Sequence, residues 1–205
     1  ASLLSSSPIQ ISNIPHLQDV TTIVSLLGQM GSRITLDERA SIEIDAGQLG
    51  SLHAPYELVR TMRASVLVLG PLLSRFGEAH VSLPGGCAIG MRPVDQHLKG
   101  MQAMGAEISV KHGVVYALAP KGLKPADISL RFPSVGATHQ LVMAASLTPG
   151  ETTIRGAAKE PEVIAVCDFL DQLGARIRGQ GTDTIVINGE KVEINNPRDA
   201  KALGI

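Results

Sequence analysis

Tryptophan is absent from this chain, and its aromatic side chains are two tyrosines and three phenylalanines in 205 residues. Any core it builds must be aliphatic. Hydrophobic residues make up 44%, enough for a sizeable core in one large domain or two small ones. Cysteine is nearly as scarce, with Cys87 and Cys167 alone. A pair so far apart in sequence is no disulfide framework, and a reducing cytoplasm is the expected setting. Excess charge is missing too. A formal net charge of −1 leaves no electrostatic footprint for nucleic acid or an anionic membrane surface. No apolar run is long enough to cross a bilayer, and the opening "ASLLSSSPIQ" lacks the charged start of a signal peptide. No His/Cys cluster has metal-ligand spacing, and no Walker-type or dinucleotide-type glycine pattern appears. No metal and no cofactor are therefore expected.

What the chain does have is internal repetition. Three segments align: "VTTIVSLLGQMGSRITL" from Val20, "VDQHLKGMQAMGAEISV" from Val94 and "VIAVCDFLDQLGARIRG" from Val163. Each reads as a helix closed by Gly31, Gly105 or Gly174, roughly 70 residues apart. In the second copy Val94, Leu98, Met101 and Met104 recur at helical intervals and form one buried stripe. The glycine takes the position after the helix, where positive φ stops it. A strand leaves at once, as in Glu107 to Val110. A second helix interleaves, "YELVRTMRASVLVLGPLLSRFG" from Tyr56 and "VGATHQLVMAASLTPG" from Val135, followed by the strands "EAHVSLPG" and "ETTIRGAA".

The expected class is α/β (α+β): about three helix-strand-helix-strand-strand units, at about 1–50, 51–125 and 126–190, with pseudo-threefold packing. Helices that are apolar nearly all round, such as "ASVLVLGPLL", go inside, and sheets with one wet face wrap them. The first unit starts part-way through its first helix, so the chain is expected to be cut from a longer protein. Residues 191–205 match no repeat and are set apart as a terminal segment.

The stretch "SLPGGCAIGMRPVD" joins a strand to a helix. Pro93 fits the first helical turn, and Arg92 stands at a helix N-terminus, where free N–H groups favour anions. A thiol at Cys87 in that setting has a lowered pKa. The local pattern also fits a plain turn with a small buried cysteine. Cys167, within the apolar face of "VIAVCDFL", reads as an inert core residue.

The loop "PGGCAIGMRPVDQH" closely resembles the active-site loop of the UDP-N-acetylglucosamine enolpyruvyl transferases. The resemblance continues in "APYELVRTMRASVLVLGPLLSRFGEAHVSLPGG", "SVGATHQLVMAASLTPGETTIRGAAKEPEV" and "FLDQLGARIRGQGTD", and covers about residues 1–189. It implies an enolpyruvyl transferase-like inverted α/β domain, the one domain of two that is continuous in sequence, with the second domain missing here. It implies transfer of the enolpyruvyl group of phosphoenolpyruvate to the 3-hydroxyl of UDP-N-acetylglucosamine, with release of phosphate, in the first committed step of peptidoglycan synthesis. Cys87 is then the proton donor and the residue that fosfomycin alkylates, on a loop that closes over substrate. Arg63 and Arg92 hold phosphate and carboxylate groups, for which a planar guanidinium is suited. The run Arg92, Pro93, Val94, Asp95 contacts the uridine, and Gln96 follows it with contacts through the backbone. Ser134, Val135 and Gly136 lie near the diphosphate.

On local pattern alone Arg63 is a surface arginine, Asp95 a dipole partner or cap, and Ser134 an N-cap. Glu160 and Glu162 read as structural, with Glu162 in a first helical turn. Two positions depart from the family: Phe132 replaces a common lysine, and Gln96 a common leucine. The sibling shikimate-pathway enolpyruvyl transferase shares the fold but has no cysteine in this loop. A non-catalytic binding fragment is the reading from another class, because the lysine, aspartate and arginine that complete the family site lie outside these residues. A thiol redox sensor lacks a resolving cysteine nearby.

Overall fold

The computed structural model describes residues 1–37, 40–59, 62–83 and 94–190, and of Arg63 only the backbone. Cys87, Arg92, Pro93 and the segment 191–205 lie outside the described residues.

Three sheets carry the strands. The first orders β1 (Ile9–Ile11), β3 (Ser41–Asp45) and β2 (Arg33–Asp37), all antiparallel. The second orders β4 (His53–Ala54), β5 (Glu78–Ser82), β7 (Val114–Leu118) and β6 (Glu107–Lys111). The third orders β10 (Arg176–Arg178), β11 (Thr184–Gly189), β9 (Gly150–Arg155) and β8 (Asp127–Ser129). In the last two, β4 and β8 run parallel to β5 and β9, and the remaining pairs are antiparallel.

Each antiparallel hairpin follows a helix: α1 (Gln18–Gln29) before β2, α4 (Asp95–Ala103) before β6, and α6 (Pro161–Gln172) before β10. Gly31, Gly105 and Gly174 stand just past these helices at φ of 101°, 89° and 96°, so a left-handed residue ends each one as the sequence pattern requires. α6 opens on Pro161, with Glu162 in its first turn.

Strand alternation sets the wet and dry faces. In β7, Val115 and Ala117 are buried while Tyr116 is exposed; in β11, Ile185 and Ile187 are buried. These inner faces share one aliphatic cluster with the helices. α5 (Val135–Ser146) is buried along most of its length and packs on α3 (Leu69–Phe76), α4 and α6.

The stretch from Tyr56 differs from the single helix its sequence pattern predicts. Among the described residues it is α2 (Tyr56–Val59), a 3-10 turn at Arg63–Val68, and then α3. Pro71 sets where the α-helical geometry of α3 begins. It has no N–H for the Leu67 carbonyl four residues back, and its ring crowds that carbonyl. The α-helix therefore starts at Leu69. The side chain of Gln140, fully buried on α5, repairs the break. With the amide oriented to match its neighbours, its nitrogen donates to Leu67 O at 3.2 Å and its oxygen accepts from Gly70 N at 3.0 Å.

Candidate functional site

The strand β5 leads into the cysteine loop, and α4 receives the chain beyond it. Leu83 N donates to Gly113 O at 2.7 Å, which ties the loop's entry to the β6–β7 hairpin. α4 starts at Asp95 with Val94 as its N-cap residue. Pro93, expected in the first helical turn, lies outside the described residues.

The second half of the site is the start of α5. Ser134 is extended at φ −135°, and its Oγ accepts from Ala137 N at 3.3 Å, an N-cap that satisfies one free donor of the helix. The Thr138 hydroxyl donates to Ser134 O at 2.8 Å and accepts from Ala158 N at 3.1 Å. The cap is thereby braced against the segment leading to α6.

These two helix starts are tied together. Gln96 Oε1 accepts from Arg131 N at 2.7 Å, and Gln96 Nε2 donates to Phe132 O at 3.2 Å. Arg131 Nη2 donates to Asp95 Oδ2 at 2.6 Å, and Lys99 Nζ lies 3.7 Å from the same oxygen. The Oδ1 atom of Asp95 is buried with no hydrogen-bond partner among the described residues. His97, 4% exposed, lies so close to Gly136 that a Cβ there would stand 3.0 Å from its ring. A larger residue at 136 would require the His97 ring to give by a few tenths of an ångström.

Val94, Asp95 and Gln96 are thus brought together with Ser134, Val135 and Gly136. Cys87, Arg92 and Pro93 lie outside the described residues, as does the side chain of Arg63, whose backbone opens a 3-10 turn packed on α5. What the arrangement offers chemically is two helix N-termini side by side with Arg131 and Lys99 beside them, a setting that favours anions. No cluster of three or more His, Cys, Asp or Glu suited to a metal ion occurs among the described residues. An apolar groove of about 400 Å³, walled by Leu3, Ile23, Leu67 and Met143 among others, includes none of the candidate residues whose side chains are described.

A family model described as EPSP synthase (3-phosphoshikimate 1-carboxyvinyltransferase) matches residues 1–200. The chain belongs to this family. Its relatives include UDP-N-acetylglucosamine 1-carboxyvinyltransferase of Coxiella burnetii, 58% identical over 189 residues, which are 92% of this chain and 44% of that protein. The protein of the same name from Hydrogenovibrio crunogenus is 56% identical over 187 residues, 91% of this chain and 44% of the relative. The chain thus spans less than half the length of these curated relatives. Among solved structures, the enolpyruvyl transferase NikO from Streptomyces tendae superposes with a TM-score of 0.80 at 24% identity, over 94% of this chain and 45% of that one. EPSP synthase from Acinetobacter baumannii gives 0.68 at 18%, over 90% of this chain and 42% of that one. The fold is that of the enolpyruvyl transferases.

For this member of the EPSP synthase family, sequence reasoning missed Arg131, Lys99 and His97. The one available signal was the position of Arg131 beside Phe132, already noted as a departure from the family pattern. Phe132 is exposed, with the Arg131 guanidinium 5.8 Å from its ring centre.

Proposed function

We propose that the chain is the part of a UDP-N-acetylglucosamine 1-carboxyvinyltransferase that holds the UDP-sugar and carries the reactive thiol. The observation that carries this reading is the 58% identity over 189 residues to the Coxiella burnetii protein of that name. In the proposed reaction the sugar 3-hydroxyl adds to C2 of phosphoenolpyruvate, losing its proton, while C3 takes a proton from Cys87. C3 then gives up a proton, the double bond re-forms, and the C2–O bond breaks to release phosphate. Arg92 and Arg63 hold the oxyanions. Pro93, Val94, Asp95 and Gln96 form the uridine end. Ser134, Val135 and Gly136 present the α5 N-terminus to the diphosphate, as free N–H groups and the helix dipole favour.

The same reading makes residues 1–190 three repeats of one unit, with the remaining domain of a longer enzyme completing the site. The chain alone then binds nucleotide but turns over little. No helix among the described residues is long and apolar enough to cross a membrane, and a role in peptidoglycan synthesis would place the enzyme in the cytoplasm.

Incubation with fosfomycin, with and without UDP-N-acetylglucosamine, followed by peptide mass mapping, tests this. The expected result is an adduct on Cys87 that forms faster with the sugar nucleotide present. No adduct, in protein whose Cys87 still reacts with a generic thiol reagent, would count against a competent site in this chain. Full turnover without added partner would overturn the need for a second domain.

A further inference from the structure

The sequence reading places Gln96 among nucleotide contacts made through the backbone. Its side chain has another task. It is 5% exposed, and both ends of its amide are engaged by the exposed run Arg131–Phe132. A carboxamide is chemically a peptide unit, with one carbonyl to accept and an N–H to donate. Gln96 pairs with that run as a neighbouring strand would. The residues on either side of it reach the same segment: Asp95 through the Arg131 guanidinium, and His97 through its ring against Gly136. Three successive residues in the first turn of α4 therefore meet the stretch from Arg131 to Gly136, which leads into α5 and opens it.

We infer that Gln96 is a positioning residue, which sets where the start of α5, at the diphosphate, stands relative to the start of α4, at the uridine, and so aligns the two helix ends on one nucleotide. This rests on the function proposed above. Affinity for the nucleotide then depends on a side chain that does not touch it.

The test compares Gln96→Met, which keeps length but loses both hydrogen bonds, with Gln96→Glu, which keeps the acceptor for Arg131 N–H and loses the donor to Phe132 O. On the 205-residue chain, UDP binding is measured by calorimetry and amide exchange at Arg131 and Ala137 by NMR, with thermal melting alongside. Gln96→Met should weaken UDP binding by about tenfold, the equivalent of one ordinary hydrogen bond. It should also speed exchange at Arg131 and shift melting by no more than about 5 °C. Gln96→Glu should fall between it and the unsubstituted chain. Unchanged exchange at Arg131 would overturn the clasp itself. Faster exchange with unchanged UDP affinity, or equal affinity loss in both variants, would overturn the positioning role. If the unsubstituted chain binds no UDP, the parent reading fails and the positioning role with it, while the exchange data still show whether the clasp exists.

Discussion

Cys167 sits on the buried face of α6 with no exposed surface. Burial pushes its thiol up to about 11 from an ordinary 9.0, and the carboxylates of Asp171 and Asp168 push the same way. The nucleophile is the thiolate, so iodoacetamide at neutral pH should leave Cys167 unmodified in folded protein; labelling at the rate of an unfolded control would contradict this. The shift also has a sign for stability. A folded-state pKa above the unfolded one stabilises fully below pH 9, and the gain is lost as pH rises through about 11. Denaturant midpoints should fall across that window, and Cys167→Ala should flatten the fall. Local pattern was enough to read this residue, because an apolar helical face already says that it is buried. Gln96 was different. Its position was noticed, but its work depends on Arg131 and Phe132, which no local pattern connects to it.

Helix ends show the same division. Gly31, Gly105 and Gly174 announce where α1, α4 and α6 stop, because the left-handed turn they make is a property of a few adjacent residues. The start of α3 was harder to read. Its apolar run continues upstream without a change of pattern, and Pro71 moves the boundary by removing one donor. The Gln140 amide, from another helix, satisfies the Leu67 carbonyl and the Gly70 N–H left at the junction. Gln140→Leu keeps the volume roughly but leaves both groups buried and unpaired. It should cost about 2–6 kcal/mol, at 1–3 for each unsatisfied group, read as a lower midpoint in urea with an unchanged slope. A loss below about 1 kcal/mol would mean that water or a backbone shift replaces the amide.

Across the molecule, the first sheet is fastened to the rest by Arg75, in the last turn of α3. Its Nη1 donates to Leu3 O at 2.9 Å and Ala46 O at 2.7 Å, and its Nη2 to Gly47 O at 3.1 Å. Burial lowers its pKa, and the Asp45 carboxylate opposes that shift. Only a planar fork with several donors reaches three carbonyls at once. Arg75→Met should destabilise the protein by about 2–4 kcal/mol. Amide exchange should quicken in β1 and β3 before it does in β9 and β11; uniform quickening would show that Arg75 does not single out the first sheet. By itself the sequence determined the helices that end in glycine, the alternating strands that follow them and the aliphatic core, because those signals repeat every two to four residues. Tertiary structure alone decided which distant groups meet: Gln96 with Arg131 and Phe132, Gln140 with Leu67 and Gly70, and Arg75 with the three carbonyls. Those meetings are set by how whole elements pack, and a hydrogen bond between residues 36 apart leaves no period in the chain.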